Sequence, residues 1–328
     1  MTIEPAKIEY REAVAMTASE VRAALSPAPE PISDVADLLA ATCGKGARTA
    51  LLMASAMDEN GLVPASAVHA AAAVELLHMA TLVHDDIIDN APVRRGQPSV
   101  QSRFGKEIAV LGGDWLLTLA LRRALEVDYP VEKAEQKRGL AHQILPVVEK
   151  ILLGEIMQRR HNGDVALSAM QYIRIIDGKT AALFCLAARA GAELGGCGER
   201  DAVRLMRFSR YLGIVFQIID DLKDYTMEAD EILKPARRDL VSGVVTMPLI
   251  LSFLREPALK SMALGVIRGE ADVAPLVRRV NRAKGIEATK NVASRCADKA
   301  RGLISCFSAR KQDALGSLLD SSLAAARA

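Results

Sequence analysis

Aromatic residues are scarce in this chain of 328 residues, with six Phe and one Trp, so few rings are available to plug a cavity. The five cysteines are scattered without the spacing of a metal site, which indicates a reducing cytoplasm rather than a disulfide framework. Neither sign of charge dominates, because 42 basic and 40 acidic residues leave a formal net charge of +2. This balance argues against nucleic acid as the main partner.

Long uninterrupted apolar runs are also missing, although half of the residues are hydrophobic. No uncharged apolar run reaches the ~18–20 residues of a membrane span. The first residues carry Glu4 and lack the apolar centre of a secretory signal. We therefore expect a cytoplasmic chain without a transmembrane span.

Helical periodicity is the strongest structural signal in the sequence, whereas alternating strand patterns are hard to find. Ala- and Leu-rich segments with helical spacing cover residues 67–89, 106–127, 139–160 and 200–225. Short breaks are predicted at Asn60-Gly61, Ala91-Pro92, Gly112-Gly113, Asn162-Gly163 and Gly195-Gly196. Because no Pro-, Ser- or Gly-rich linker divides the chain, we expect one all-α domain over 1–328, with regions 1–30 and 255–328 carrying no motif.

Two acidic motifs of the form D-D-x-x-D stand out, Asp85-Asp86-Ile87-Ile88-Asp89 and Asp220-Asp221-Leu222-Lys223-Asp224. On a helix the first and last Asp of each motif lie one turn apart and point the same way, so they favour a bound cation. Hard carboxylate oxygens without His or Cys in the motif suit Mg²⁺ rather than zinc, and the preceding His84 points elsewhere on a helix. Two such motifs facing each other would clamp a diphosphate through Mg²⁺. The alternative is a pair of solvated acidic helix faces.

Basic residues that could complement a diphosphate occur in several short segments. They are Gly44-Lys45-Gly46-Ala47-Arg48, Arg94-Arg95-Gly96, Lys179-Thr180 and Lys234. Each alone is also compatible with a solvated face or with a charge at the C-terminal end of a helix. Their significance comes from their combination with the two acidic motifs.

These motifs resemble those of the trans-isoprenyl diphosphate synthases of the polyprenyl synthetase family. The first Asp-rich region of that family is matched by residues 75–89 with Arg94-Arg95-Gly96, and the second by residues 216–225. Other segments follow in the family's order, namely Gly44-Lys45-x-x-Arg48, Gly113-Asp114, Gly154-Glu155-x-x-Gln158, Lys179-Thr180-Ala181 and Asp239-Leu240-x-x-Gly243-x-x-Thr246-x-Pro248. The resemblance implies the isoprenoid synthase type I fold, a single helical bundle around a deep central cavity, and a homodimer.

The same resemblance implies a role for each motif residue. Asp85 and Asp89 would hold two Mg²⁺ ions on an allylic diphosphate, and Asp220, supported by Asp221 and Asp224, would hold a third. The neighbouring Asp86 would belong to the catalytic residues. The same diphosphate would contact Arg94, Lys179 and Lys234. Isopentenyl diphosphate, the second substrate, would be bound by Lys45, Arg48, His78 and Arg95. Thr180 and Gln217 would lie beside the carbocation that forms.

The implied chemistry agrees with these residue types. Ionisation of an allylic diphosphate creates a carbocation and a highly charged leaving group, which metal ions and basic side chains stabilise. The condensation then needs a dry cavity, because water would quench the carbocation. Long products could also bring the enzyme into transient contact with membranes.

The sequence departs from the family pattern at two positions. Val244 stands where the family usually has Lys, and Gly46 stands where it commonly has Arg. A lost Lys contact to a phosphate costs about 1.5–3 kcal/mol if nothing replaces it, although Arg237 or Arg238 could do so. We predict an active enzyme with weakened affinity for the allylic substrate.

Product length is predicted from the residues before the first acidic motif. Ala80 and Thr81 lie about 6–7.5 Å along the helix from Asp85, and Leu77 lies on the next turn. In the family a bulky aromatic residue at these positions closes the channel, so small residues predict a long product, of hexaprenyl length or longer, as in quinone side chains. The alternative is a short-chain farnesyl or geranylgeranyl diphosphate synthase.

Two other functions remain open at this point. A class I terpene cyclase also uses Mg²⁺ and an Asp-rich helix, but its second motif normally mixes Asn, Ser or Thr with Glu. A non-catalytic subunit that binds a prenyl synthase usually loses its acidic motifs, which are intact here, and only Val244 favours it.

Overall fold

The computed structural model describes residues 6–41, 46–127, 139–226 and 238–325. Helices dominate it, and they are α1 (Tyr10–Leu25), α2 (Ser33–Ala41), α3 (Ala47–Ala56), α4 (Ser66–Ile88), α5 (Val100–Phe104), α6 (Lys106–Leu125), α7 (Leu140–Arg160), α8 (Ala169–Ile176), α9 (Ala182–Leu194), α10 (Glu199–Thr226), α11 (Arg238–Val241), α12 (Met247–Arg255), α13 (Leu259–Ile267), α14 (Val273–Arg282), α15 (Gly285–Ile304) and α16 (Ala309–Ala324). A 3₁₀ turn spans Glu30–Ile32, and a π-helical turn spans Asp177–Ala181.

Two short antiparallel strand pairs accompany the helices, although no clear strand signal is present in the sequence. Strand β1 (Lys7–Glu9) pairs with β2 (Leu62–Pro64), with Ile8 opposite Val63. Strand β3 (Val93–Arg94) pairs with β4 (Gln97–Pro98) as a small hairpin. Pieces of two or three residues are too short to produce an alternating pattern in the sequence.

The all-α prediction is confirmed, and α4, α6, α7 and α10 match the four predicted helices to within two residues at each end. The predicted break at Gly112-Gly113 is wrong, because both glycines lie inside α6. A Cβ atom on Gly113 would overlap the imidazole of His84, and one on Gly112 would lie 3.4 Å from Val35. These glycines permit close helix packing, which outweighs their low helix propensity.

The chain divides into two compact units. Unit one comprises residues 1–147, 185–206 and 307–315, and unit two comprises 148–184, 207–306 and 316–328. The single domain and the central cavity expected from the resemblance stay predictions.

Helix α4 forms the centre of unit one. It packs on α6, α1 and α3, and its residues Ala70–Ala73 are at most 1% exposed. By length and composition α4 could cross a membrane, but 72% of its most apolar window is buried, and a core helix passes the same test. The expected cytoplasmic location stays a prediction.

In unit two, α7 packs closely against the π-helical turn at two glycines, one in each segment. A Cβ atom on Gly154 would overlap the backbone nitrogen of Lys179, and one on Gly178 would lie 2.9 Å from the carbonyl oxygen of Lys150. Two backbones can approach this closely only where neither residue carries a side chain. Because π-helical turns occur frequently at functional sites, the segment around Lys179 is a candidate for function.

An ion-pair cluster fixes the start of the same π-helical turn. Asp177 accepts hydrogen bonds from Nε of Arg210 (2.6 Å) and Nζ of Lys150 (3.0 Å). Burial opposes ionisation of Asp177, but its hydrogen bonds with Arg210 and Lys150 outweigh burial and lower its pKa. The stability that this carboxylate contributes is therefore present above the ordinary Asp pKa of about 3.9 and is lost as the pH falls through the lower pKa of the folded state.

We expect Asp177→Asn to reduce the free energy of unfolding by about 1–3 kcal/mol at neutral pH, because two charge-assisted hydrogen bonds lose their acceptor charge. The difference from the parent protein should shrink as the pH is lowered from about 5 towards 2, where the parent carboxylate also becomes neutral. Urea unfolding across this range measures both effects. The control is Asp298→Asn, because Asp298 is 68% exposed and pairs with Arg301, so its effect should stay below about 0.5 kcal/mol. An equal loss for both variants would contradict the assignment.

Candidate active site

The first acidic motif lies at the C-terminal end of α4, in unit one. Asp85 and Asp86 belong to the last turn, and Asp89 is the C-cap residue, whose backbone nitrogen donates to the carbonyl oxygen of Asp85 (2.8 Å). The C-terminal end of a helix already carries a partial negative charge, so carboxylates there are mutually unfavourable until a cation is bound. The position of the motif on the helix therefore favours cation binding more strongly than its sequence alone.

A tight hairpin positions two arginines next to this motif. Arg95 and Gly96 both have positive φ (52° and 78°), as a two-residue type I′ turn between β3 and β4 requires. Positive φ is uncommon for Arg, which makes this residue a candidate for function. Gln101 fixes the segment that leads into the hairpin, because its Nε2 donates to the carbonyl oxygens of Asp86 (2.8 Å) and Ala91 (2.9 Å).

Arg94 forms an ion pair with the middle carboxylate of the motif. Its Nε donates to Oδ1 of Asp86 at 2.9 Å, and its Nη2 donates to the same oxygen. Burial opposes the charge of Arg94, but the hydrogen bond with Asp86 and the nearby Asp85 and Asp89 raise its pKa. The buried Asp86 therefore holds Arg94 beside the two outer carboxylates, where a phosphate could contact it.

A second basic group of unit one surrounds His78 on α4. Burial and the neighbouring Arg95 lower the pKa of Arg48 to about 10, while Glu75 opposes this shift. Burial and the positive charges of Arg48, Arg95 and Arg94 lower the pKa of His78 well below its ordinary value, so its imidazole is neutral at pH 7. Burial raises the pKa of Glu75.

The imidazole of His78 also has an unsatisfied polar atom. Its Nδ1 is buried and has no hydrogen-bond partner among the residues that the structure describes. A buried nitrogen without a partner is costly, and nearby arginines repel one another unless an anion lies between them. The group formed by Arg48, His78 and Arg95 thus has the properties of an anion site.

His84 does not join the acidic motif, as its position on the helix predicted. Its Nε2 lies 3.4 Å from both Oδ1 of Asp114 and the carbonyl oxygen of Val110 on α6. The missing side chain of Gly113 provides the space for this imidazole. His84 therefore connects the end of α4 to α6.

The second acidic motif lies at the C-terminal end of α10, in unit two. Asp220 is exposed and accepts a hydrogen bond from Nζ of Lys223 (2.6 Å), and Asp224 is half-buried. Asp221 is buried, and its two oxygens accept from Nε2 of Gln217 (2.7 Å) and from the hydroxyl of Tyr172 (2.6 Å). The helix end again adds negative charge to the carboxylates.

The hydrogen-bond chain continues from Gln217 to the π-helical turn. The hydroxyl of Thr180 donates to Oε1 of Gln217 (2.6 Å), so Tyr172, Asp221, Gln217 and Thr180 form one connected series. In the same turn, Nζ of Lys179 lies 2.7 Å from Oε2 of the nearly buried Glu155. No role for Glu155 was predicted from the sequence, although it is part of a recognised motif, and no sequence signal indicates Tyr172.

The remaining predicted residues divide into two groups. Lys45 and Lys234 lie outside the described residues, as does Arg237. Leu77 and Ala80 are buried on α4, at 1% and 3% exposure, and the half-buried Thr81 donates its hydroxyl to the carbonyl oxygen of His78 (2.7 Å). An apolar pocket in unit one lies beside the first motif and is lined in part by Leu38, Leu39, Met79, Val83, Asp86, Arg94 and Arg95.

Within residues 6–41, 46–127, 139–226 and 238–325, no group of three or more His, Cys, Asp or Glu side chains converges as a metal site. A metal bound by one or two carboxylates per motif would need further ligands from its substrate, as Mg²⁺ commonly does in phosphate-binding sites. The oxygen-only donor set of both motifs fits this ion. The metal roles of Asp85, Asp89, Asp220, Asp221 and Asp224 stay predictions.

Comparisons with known proteins agree with this arrangement. The family model described as Polyprenyl synthetase matches residues 29–279. Component 2 of heptaprenyl diphosphate synthase from Geobacillus stearothermophilus is 34% identical over 238 residues, 72% of each chain. Nonaprenyl diphosphate synthase from Mycobacterium tuberculosis is 32% identical over 237 residues, which cover 71% of this chain and 68% of that protein.

A solved structure is similar over almost the whole chain. The polyprenyl synthase from Caulobacter crescentus, complexed with calcium and isoprenyl diphosphate, has a TM-score of 0.83 and 28% identity, and the similarity covers 95% of this chain and 94% of that one. The family match extends over more than half of the chain and includes both acidic motifs. The chain is therefore a member of the polyprenyl synthetase family, the prenyltransferases that elongate trans-prenyl diphosphates.

Proposed function

We propose that this protein condenses isopentenyl diphosphate with an allylic diphosphate such as farnesyl or geranylgeranyl diphosphate, in a Mg²⁺-dependent reaction that gives a long trans-polyprenyl diphosphate. The observation that carries the proposal is the location of both D-D-x-x-D motifs at the C-terminal ends of helices. Carboxylates and helix dipole act there in the same direction, and a diphosphate with its metal ions neutralises both.

Mg²⁺ would be held by the outer carboxylates of the two motifs, Asp85 and Asp89 in unit one and Asp220 in unit two. When bound, it would neutralise the diphosphate leaving group as the allylic C–O bond breaks. The structurally similar polyprenyl synthase from Caulobacter crescentus, complexed with calcium and isoprenyl diphosphate, supports the binding of a divalent cation in this family. We propose three ions per site, with Asp221 and Asp224 supporting Asp220.

The allylic diphosphate would contact Arg94 and Lys179, with Lys234 as a further cation. In the structure Arg94 is oriented by Asp86 and Lys179 by Glu155, and both acids are largely buried. Each cation is thus held in place by a carboxylate before substrate binds, which reduces the entropy cost of forming the phosphate contacts. In this reading Asp86 acts through Arg94.

Isopentenyl diphosphate would be bound by Arg48, Arg95 and His78, with Lys45 as a fourth ligand. The neutral imidazole of His78 can donate a hydrogen bond to a phosphate oxygen, and Arg48, whose pKa is lowered by burial and by the charge of Arg95, gains from a bound anion. The substrate double bond is the nucleophile, so no Ser, Cys or His nucleophile is required.

The carbocation would be stabilised by the oxygen dipole of Thr180. The hydroxyl group of Thr180 donates its proton to Gln217. Gln217 is oriented by its hydrogen bond to Asp221, and Asp221 is held by the hydroxyl of Tyr172. The lone pairs of Thr180 are therefore available on the other side of its oxygen. A fixed dipole of this kind stabilises developing charge without reorganisation.

A long product is supported by the small Ala80 and by the names of the relatives, which include a heptaprenyl and a nonaprenyl diphosphate synthase. The released polyprenyl diphosphate would supply the side chain of a membrane lipid such as a quinone. The weakened allylic affinity predicted from Val244 remains part of the proposal.

We propose a homodimer as the active assembly. In unit two, α7 carries an exposed apolar stripe of Leu152, Leu153, Ile156 and Met157, which are 37–56% exposed. Such a stripe favours association with another surface. The relative named component 2 keeps a second assembly open, in which a different subunit covers this stripe.

The test is to incubate the purified chain with Mg²⁺, labelled isopentenyl diphosphate and farnesyl diphosphate, and to size the products by chromatography. We expect a ladder that ends at hexaprenyl or longer, made by a species with the mass of a dimer in light scattering. A ladder that ends at geranylgeranyl would retain the chemistry and reject the long-chain assignment. No turnover with any allylic starter would assign the chain to a partner-dependent enzyme, and Asp85→Asn serves as the inactive control.

A further inference from the structure

A basic surface with an apolar tip lies in unit two, away from both acidic motifs in the sequence. Leu254, near the end of α12, is 76% exposed and is one of several large hydrophobic side chains that the fold leaves in contact with water. Arg255 beside it donates from Nη1 to the carbonyl oxygens of Ala283 (3.1 Å) and Lys284 (3.0 Å). This contact fixes the end of α12 against the turn between α14 and α15.

The second half of α14 supplies most of the charge of this surface. Arg279 pairs with Glu256, which extends the contact between the two helix ends. Arg278 and Arg282 are exposed and four residues apart, so they lie on the same face of α14. Lys284 follows with 67% of its side chain exposed. The buried side of α14 consists of Leu276, Val277 and Val280.

Positive charge clearly exceeds negative charge on this surface. We define the α12–α14 corner as residues 254–256 and 278–287, which contain Arg255, Arg278, Arg279, Arg282 and Lys284 together with Glu256 and Glu287. Five cations and two carboxylates leave a formal charge of +3, more than the +2 of the entire chain. The corner therefore carries a local excess of positive charge.

We propose that the α12–α14 corner docks on the anionic headgroups of a lipid bilayer, with Leu254 inserted at the interface. Cations attract an anionic membrane surface, and an apolar side chain among them adds a hydrophobic contact with the acyl region. The long side chains of Arg278, Arg282 and Lys284 can reach the headgroups while their backbone stays in water.

A bilayer explains this surface better than a nucleic acid does. Single-stranded nucleic acids are usually bound by exposed aromatic rings among the cations, whereas Phe253, the aromatic residue of α12, is only 4% exposed. Leu254 offers no hydrogen bond to a base or a phosphate. Membrane docking itself does not depend on the proposed function. Only the reason for docking rests on it, because docking would deliver a water-insoluble polyprenyl product directly to lipid.

The test measures binding of the full chain to extruded vesicles by sedimentation, without substrate, so its outcome does not depend on activity. We expect binding to vesicles of phosphatidylglycerol and phosphatidylcholine, little binding to phosphatidylcholine alone, and release by salt. Arg278→Gln with Arg282→Gln should weaken binding about 25-fold, since each cation contributes about fivefold. Leu254→Ser should weaken it several-fold at unchanged charge.

The matched control is Arg295→Gln with Lys299→Gln, which removes the same charge from exposed positions of α15. These residues lie at least about 16 Å along the helix axis from Lys284. An equal loss for the two double variants would show binding by net charge and would overturn the proposal. Tight binding of RNA under conditions where vesicles are not bound would overturn it in favour of nucleic acid. First-condensation rates in detergent should be the same for all variants, and a failure of the proposed function would appear only there.

Discussion

Replacing Gly154 by Ala is expected to lower kcat/KM for chain elongation about 100-fold, although Gly154 belongs to neither acidic motif. Its new Cβ atom would overlap the backbone nitrogen of Lys179 and approach the carbonyl carbon of Gly178 to 2.9 Å. Backbone atoms cannot rotate away as a side chain can, so α7 and the π-helical turn must move apart. That movement displaces Lys179 and Thr180, the two residues that the turn presents to the proposed site.

The same substitution should also reduce the free energy of unfolding by about 1–3 kcal/mol, as is usual for overpacking. The matched control is Gly302→Ala on α15, where an added Cβ atom meets no atom of the described residues within 4 Å. There we expect unchanged kinetics and a gain of about 0.4–1 kcal/mol, because Ala restricts the unfolded chain more than Gly. Equal effects at the two positions would contradict the close-contact argument.

A double-mutant cycle separates displacement of Lys179 from general destabilisation. If Gly154→Ala acts by moving Lys179, the combined variant with Lys179→Ala should be only slightly less active than Lys179→Ala alone. Independent losses that add in free energy would show that Gly154 acts through Thr180 or another group and not through Lys179. Unfolding measured on the same four proteins provides the stability reference.

The local features of this protein could be predicted from the sequence. Helical periodicity located α4 and α10, and the i, i+4 spacing of Asp85 and Asp89 predicted a shared helix face. These features depend on residues that are close together in the chain. The prediction failed at Gly112-Gly113, because whether a glycine breaks a helix or permits close packing depends on the neighbouring element, here His84 and Val35.

The supporting residues of the site could not be predicted. Tyr172 binds Asp221 across 49 positions of sequence, and no local pattern marks such a partner. Glu155 lies in a recognised motif, but its role follows only from its contact with Lys179. The position of the acidic motifs at helix C-termini is a further structural result, since the exact helix ends are needed to see it.

These supporting contacts follow one arrangement in both units. Asp86 holds Arg94 in unit one, and Glu155 holds Lys179 in unit two. In both pairs the acid is more buried than the base, so the base is the partner that can present charge to a ligand. Replacing the acid should therefore affect the orientation of the cation as well as the local charge.

Replacing Ala80 by Phe is expected to shorten the product from hexaprenyl or longer to farnesyl or geranylgeranyl length. The proposed channel starts at the first acidic motif and runs along α4, and Ala80 lies about 7.5 Å from Asp85 along the axis. A ring at this position would block a growing chain early, while the first condensation should keep nearly its parental rate. Chromatography of products made from labelled isopentenyl diphosphate measures both effects.

Two further variants make this last prediction specific. Leu77→Phe, one turn deeper on α4, should give products of intermediate length, because the block lies farther from the diphosphate site. Ala71→Phe is the matched control, since Ala71 is also buried but lies nine residues away on the opposite face of α4. It should destabilise the protein by about 1–3 kcal/mol, as Ala80→Phe should, and leave product length unchanged. Shortening by Ala71→Phe, or unchanged products from Ala80→Phe, would show that the chain does not grow along this face of α4.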